Sequence, residues 1–223
     1  MTIGIKTLGK ELLLLLFHFM LSFVFLSCND SVASNELNLN LETNTDQMLQ
    51  SMEFTSDSTL ISQTERDGLI LMREEEKLAG DVYAYFYAKY ALRPFTNINK
   101  SEVQHSGAVL RLLTYFGIPD PALTEAGKFS NPDIQGLYNK LTADGSTAEN
   151  ALAVGAFIEE YDIADLRKLI AETQNADIKM VYTNLLNGSY NHIKAFTRVL
   201  AGRGVVYSPK ILSTTEYSNI VEK

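Results

Sequence analysis

From residue 60 onward, apolar residues recur every three to four positions along four long stretches, the period of helices with one buried face. The first runs from about Glu65 to Leu92 and aligns Leu69, Met72, Glu76, Ala79, Tyr83, Phe86 and Tyr90. Ser62 and Glu65 have capping-box spacing at its start, and Pro94 prevents its continuation. The second, about Lys100 to Phe116, aligns Ile98, Glu102, His105, Val109, Leu112 and Phe116 and stops at Gly117 and Pro119. The third, about Thr147 to Glu172, aligns Leu152, Gly155, Glu159, Asp162, Leu166 and Leu169, with Ser146 and Glu149 again at capping-box spacing. The fourth, about Asp177 to Ala201, aligns Tyr182, Leu185, Ser189, His192, Phe196 and Val199 and ends at Gly202 and Gly204. Between the second and third, Asn131 and Pro132 open a short helix to about Ala143. The tail beyond Gly204 has alternating apolar residues and is expected to pack on the bundle surface. The pattern predicts an all-α, up-down four-helix bundle with a short extra helix between the second and third long ones.

The first 59 residues read differently. Lys6 and Lys10 precede an apolar run from Leu12 to Ser27, too short for a membrane-spanning helix and suited to a signal sequence. Phe25-Leu26-Ser27-Cys28 resembles the lipobox of bacterial lipoproteins, in which cleavage precedes a lipidated cysteine. The expected organisation is a lipoprotein signal peptide at 1–27, a flexible polar tether at 28–59 and a helical domain at 60–223. Cys28 would carry the anchor, so the expected partner is a membrane and the expected location the bacterial cell envelope.

Composition narrows the chemistry. The net charge of −8 comes without a Lys/Arg cluster, so a nucleic-acid partner is not expected. Cys28 is the sole cysteine, which excludes an internal disulfide and a thiolate metal cage. A metal in this chain must be held by oxygen and nitrogen. Each long helix carries such a donor near the middle of its apolar face: Glu76; Glu102 and His105; Glu159 and Asp162; His192. Each has an ordinary structural explanation when taken alone. Glu102, for example, has the spacing of a capping-box partner for Asn99, and His105 that of a satisfied core histidine. Their coincidence at matching depth argues instead for one site. Four carboxylates and two imidazoles suit two divalent iron or manganese ions, and Glu102-x-x-His105 is the pair that ferritin-like di-metal proteins place on a helix.

The segments MREEEKLAGDVY (72–83), SEVQH (101–105), YFGIPDP (115–121), IEEYDIADL (158–166) and NGSYNHIKAF (187–196) resemble the bacterial ferritin-like family known as domain of unknown function 2202. The resemblance covers about residues 60–220. It implies a ferritin-like bundle with a di-metal centre, in which Glu76 matches the single Glu of the first helix, Glu102 and His105 the first Glu-x-x-His, and Glu159 the third-helix Glu. Tyr83 lies near such a site and is a candidate redox relay. The fourth helix departs from the pattern: a second Glu-x-x-His would place Glu at position 189, where this chain has Ser189, and Asp162 is the candidate replacement. The expected function is oxygen- or peroxide-linked redox chemistry, with ferroxidase, peroxidase and oxidase activities equally compatible, and a homodimer is compatible too. The alternative is a non-enzymatic metal-sensing or protein-interaction module.

Overall fold

Ser62 opens the first long helix by a reciprocal cap, accepting from the Glu65 amide while the Glu65 carboxylate accepts from the Ser62 amide. The computed structural model describes residues 47–51, 53–54 and 60–222. Its principal helices are α1 (Gln63–Tyr90), α2 (Arg93–Tyr115), α3 (Pro132–Asp144), α4 (Ala148–Glu172), α5 (Ala176–Gly202) and α6 (Thr214–Val221). The described residues contain no strand, and no helix among them is long and apolar enough to cross a membrane. The signal peptide, the lipobox at Cys28 and most of the tether lie outside the described residues.

Several helix boundaries differ from the pattern-based expectation. α2 begins at Arg93 rather than near Lys100, because Pro94 sits in its first turn, where a missing N–H breaks no helical bond. Ala91 makes the reversal possible by adopting a left-handed conformation, φ 52°. Asn99 therefore lies inside α2 and caps nothing; its side-chain amide donates to Gly80 O at 2.6 Å. Thr147, not Ser146, caps α4, accepting from the Asn150 amide at 3.1 Å. Asn131 and Pro132 open α3 as expected. The tail adds an unforeseen helix, α6, behind a Ser213–Glu216 capping box.

Hydrogen bonds at the ends fix the helix directions. The Glu65 carboxylate accepts from Thr173 Oγ1 (2.7 Å) and from the amides of Gln174 and Asn175 (3.0 and 3.1 Å), tying the start of α1 to the α4–α5 turn. Burial alone would raise this carboxyl, but these donors and Ser62 outweigh it and bring its pKa down to about 2. At the opposite end, Tyr90 OH donates to Gly145 O at 2.7 Å, placing the end of α1 beside the start of α4. Since α1 pairs with α2 and α4 with α5, α2 and α4 run the same way. The expected alternation is thus corrected: the 116–147 segment, carrying α3, travels the length of the helices and packs on α1 and α4. The Glu74 carboxylate helps pin it, accepting from the Ser130 and Asn131 amides at 2.6 and 3.0 Å.

The interior is divided. One apolar cluster gathers Tyr83, Phe86, Phe95, Leu152, Ile163 and Phe196 toward the Gly145 end. The other gathers Leu69, Met72, Leu112, Leu166, Tyr182 and Leu185 toward the Glu65 end. The second cluster also contains Leu49, fully buried in a one-turn helix at 47–51. That part of the expected tether is therefore packed on the domain, because Leu49 finds an apolar socket that the polar composition of 28–59 does not reveal.

Candidate metal centre

A polar layer lies between the two apolar clusters. Glu76 on α1, Glu102 and His105 on α2, Glu159 and Asp162 on α4, and Ser189 and His192 on α5 are all buried, none more than 3% exposed. The layer forms because the helices place these side chains at one depth: α1 runs opposite to α2 and α4, so mid-helix positions meet.

Glu102 is its centre. Its Oε2 lies 3.0 Å from His105 Nδ1, and its Oε1 lies 2.8 Å from His192 Nδ1. Glu76 Oε2 is 3.4 Å from His105 Nδ1, and Glu159 Oε2 is 3.4 Å from His192 Nδ1. Two triads result, Glu76–Glu102–His105 and Glu102–Glu159–His192; within each, one donor atom per residue lies within 4.8 Å of the others. The imidazole rings stand 5.5 Å apart, 25° from parallel. Although the contacts are short, Glu76 Oε2, Glu102 Oε1, Glu159 Oε2 and both His192 nitrogens make no hydrogen bond. Buried polar atoms that converge without a well-formed hydrogen bond are expensive. A cation at each convergence point would satisfy them, and carboxylate oxygen with imidazole nitrogen is a donor set that iron and manganese accept.

Neighbouring residues hold these side chains in place. Tyr83 OH donates to Glu159 Oε1, leaving Oε2 turned toward His192. The Tyr83 ring lies among Phe95 and Phe196, and burial together with the Glu159 charge keeps its phenol protonated far above the usual range. Ser101 Oγ lies 3.3 Å from His105 Nε2. Gly188 provides the space for that imidazole: a Cβ there would stand 2.5 Å from His105 Cε1 and 2.8 Å from Nε2. Ser189 does not reach into the layer as a donor; its hydroxyl turns back to Leu185 O at 3.2 Å.

The electrostatics follow from crowding. Burial raises the pKa of Glu76, Glu159 and Asp162. For Asp162 the neighbouring carboxylates of Glu76 and Glu159 raise it further. For Glu102 burial acts in the same direction, but His192 and His105 outweigh it and hold the carboxyl far below its ordinary value. Burial opposes charge on His105, yet Glu76 and Glu102 lift its pKa to about 10, and Glu102 and Glu159 raise His192 likewise.

Of the residues singled out in the sequence, Glu76, Glu102, His105, Glu159 and His192 meet in the triads. Asp162 shares the layer, one turn beyond Glu159, but joins neither triad. Tyr83 contacts the site through Glu159. Three further buried acids on α1 and α4 were not anticipated. Glu74 holds the crossover, as described. Glu160, whose position suggested a solvated charge, is fully buried and accepts from Tyr207 OH and the amides of Lys210, Ile211 and Leu212. Glu75 is also buried; burial and the facing Asp165 carboxylate raise its pKa. The signal for these was the acidic run 74–76 and the pair 159–160; the crossover covers Glu74 and the tail covers Glu160.

The described residues thus define an all-helical protein with a buried carboxylate–histidine layer across its core. Residues 65–223 match the family model described as "Uncharacterized protein domain (DUF2202)", and the chain belongs to that family. It is similar to uncharacterized protein MJ0754 of Methanocaldococcus jannaschii, 51% identical over 163 residues that make up 72% of this chain and 88% of the relative. It also superposes on the crystal structure of hypothetical protein MJ0754 from Methanococcus jannaschii with a TM-score of 0.74 and 48% identity, covering 76% of this chain and 98% of that one.

Proposed function

We propose that this protein is a ferritin-like di-metal oxidoreductase, holding two iron or manganese ions and tethered to the cell envelope through a lipid on Cys28. The observation that carries the reading is the sharing of Glu102 between two donor triads whose inward lone pairs lack hydrogen bonds. Glu102 would help to hold both ions, its Oε2 facing His105 and its Oε1 facing His192. Glu76 and Glu159 would close the outer positions, and Asp162 would balance charge. Two such ions would supply the redox and Lewis-acid chemistry for dioxygen or peroxide. The chain's own contribution is positional. Apolar clusters above and below exclude water from the layer, and Gly188 and Ser101 fix the His105 ring. Tyr83 orients Glu159 and is placed to act as a relay: an electron leaving its ring would be accompanied by transfer of the hydroxyl proton to Glu159 Oε1.

The test is anaerobic loading with ferrous or manganous ion, followed by oxygen and peroxide consumption. The wild type should consume oxidant in proportion to bound metal, and Glu159→Ala should lose most of that activity. Metal binding without consumption would favour the non-enzymatic module, a reading supported by Ser189, which provides no carboxylate where a second Glu-x-x-His would have one.

A further inference from the structure

The buried layer needs an entrance, and the helix seams differ in what covers them. α3 packs over α1 and α4, and α6 packs on α5. Between α1 and α2 lies a cleft of about 390 Å³ with Glu76 and Glu102 in its wall. The cavities beside α3 (370 Å³) and beside α6 (360 Å³) have no triad residue in theirs. Small side chains keep the cleft open. Gly80 lies one turn beyond Glu76, and a Cβ there would meet Glu102 Cβ at 3.8 Å. Gly107 has nothing within 4 Å of where its Cβ would be. Glu76 Oε2 and Glu102 Oε1, on two of the wall residues, are buried acceptors without hydrogen bonds.

The charges at the rim are consistent with cation entry. Lys77 Nζ is bound to Asp81 at 2.5 Å and to the carbonyls of Glu125 and Lys128 at 3.1 and 3.2 Å. Arg73 is bound to Asp120 by two contacts of 3.0 Å. Both rim cations are thereby paired, and Glu76 and Glu102 stand in the cleft wall with them. A divalent ion at the mouth therefore meets no unpaired rim cation before it reaches the two carboxylate residues.

We propose that the α1–α2 cleft, over Gly80 and Gly107, is the portal through which divalent cations reach Glu76 and Glu102. This rests on the metal reading of the site. A portal has a distinctive thermodynamic signature: narrowing it slows entry and exit by the same factor and leaves the equilibrium constant unchanged. A change in the ligands alters the equilibrium constant itself.

The experiment follows cobalt(II) uptake by its visible absorption in stopped flow, with release to a chelator and equilibrium titration alongside. Gly107→Phe fills the cleft from α2. Val103→Trp does so from a position that is already 60% exposed, should the first variant fold poorly. Gly136→Phe, at an exposed position of α3 with nothing within 4 Å, is the control. Both cleft variants should load and unload at least about tenfold more slowly, with wild-type stoichiometry and affinity, and the control should behave as wild type. Wild-type loading rates in folded cleft variants would overturn the portal and leave the metal site standing. Changed affinity with unchanged release would likewise overturn it, because the substitutions would then be acting on the ligands. No cobalt uptake by the wild type would overturn the metal reading, and the portal with it.

Discussion

At the scale of single residues, what separates a structural carboxylate from a candidate ligand is the company each oxygen keeps. Glu65, Glu74 and Glu160 accept from backbone amides of segments they hold down. Glu76, Glu102 and Glu159 face imidazole nitrogens and leave lone pairs unused. Sequence spacing made the second group legible, since each member interrupts an apolar helical face. In the first group Glu65 was legible as the capping-box partner of Ser62, whereas Glu74 and Glu160 were not, because what buries them is a distant loop and a tail. Gly188 belongs with the site through size alone. Gly188→Ala should push the His105 ring off Glu102 and Glu76, weakening metal affinity by at least about tenfold while costing the fold only about 1–3 kcal/mol from overpacking. Isothermal titration with manganese, alongside thermal melts, would separate the two effects; unchanged affinity would mean that His105 is not a ligand. Protonation gives a second residue-scale expectation. With its pKa lifted to about 10 by Glu76 and Glu102, His105 favours its protonated form in the metal-free fold at neutral pH, and Glu102 and Glu159 shift His192 in the same direction. Metal must displace those protons, so affinity should rise with pH from neutrality toward 10. Calorimetry in buffers of different ionisation enthalpy should record proton release, and metal binding without proton release would contradict the assigned ligands.

At the scale of elements, the four long helices were legible because period and length reinforce one another. Their ends were less so: Pro94 reads equally as a stop for α1 or as an opening residue of α2, and only the chain reversal at Ala91 decides between them. The direction of α4 relative to α2 was hidden as well, since it depends on how far the 116–147 segment travels, not on any local pattern. The tail shows what a single buried carboxylate can organise. Glu160 gathers Tyr207 OH and three consecutive amides, and α6 follows directly. Glu160→Ala should leave those amides to water and release residues 205–222 from α4 and α5, at a cost of about 2–5 kcal/mol. Limited proteolysis should then cleave rapidly after Arg203 or Lys210, sites that resist in the wild type. Equal resistance in the two proteins would show that Tyr207, Leu212 and Ile220 hold the tail through apolar burial alone.

At the scale of the molecule, two apolar clusters are joined through a layer rich in buried charge, an arrangement that costs stability unless the layer is neutralised. Metal that binds only the folded state would neutralise it and stabilise by mass action, by about 2.7 kcal/mol at a hundredfold excess over the dissociation constant. For a domain of this size that corresponds to a rise in melting temperature of roughly 5–10 °C. The measurement closest to the central claim is metal stoichiometry per chain, read by elemental analysis after loading with iron or manganese and removal of the excess. Wild type should hold two ions. Glu76→Ala and Glu159→Ala should each lose one, since each belongs to one triad, and Glu102→Ala, which removes the shared ligand, should lose both. A wild type that retains no metal, or a Glu102→Ala variant that still binds two ions, would contradict the account.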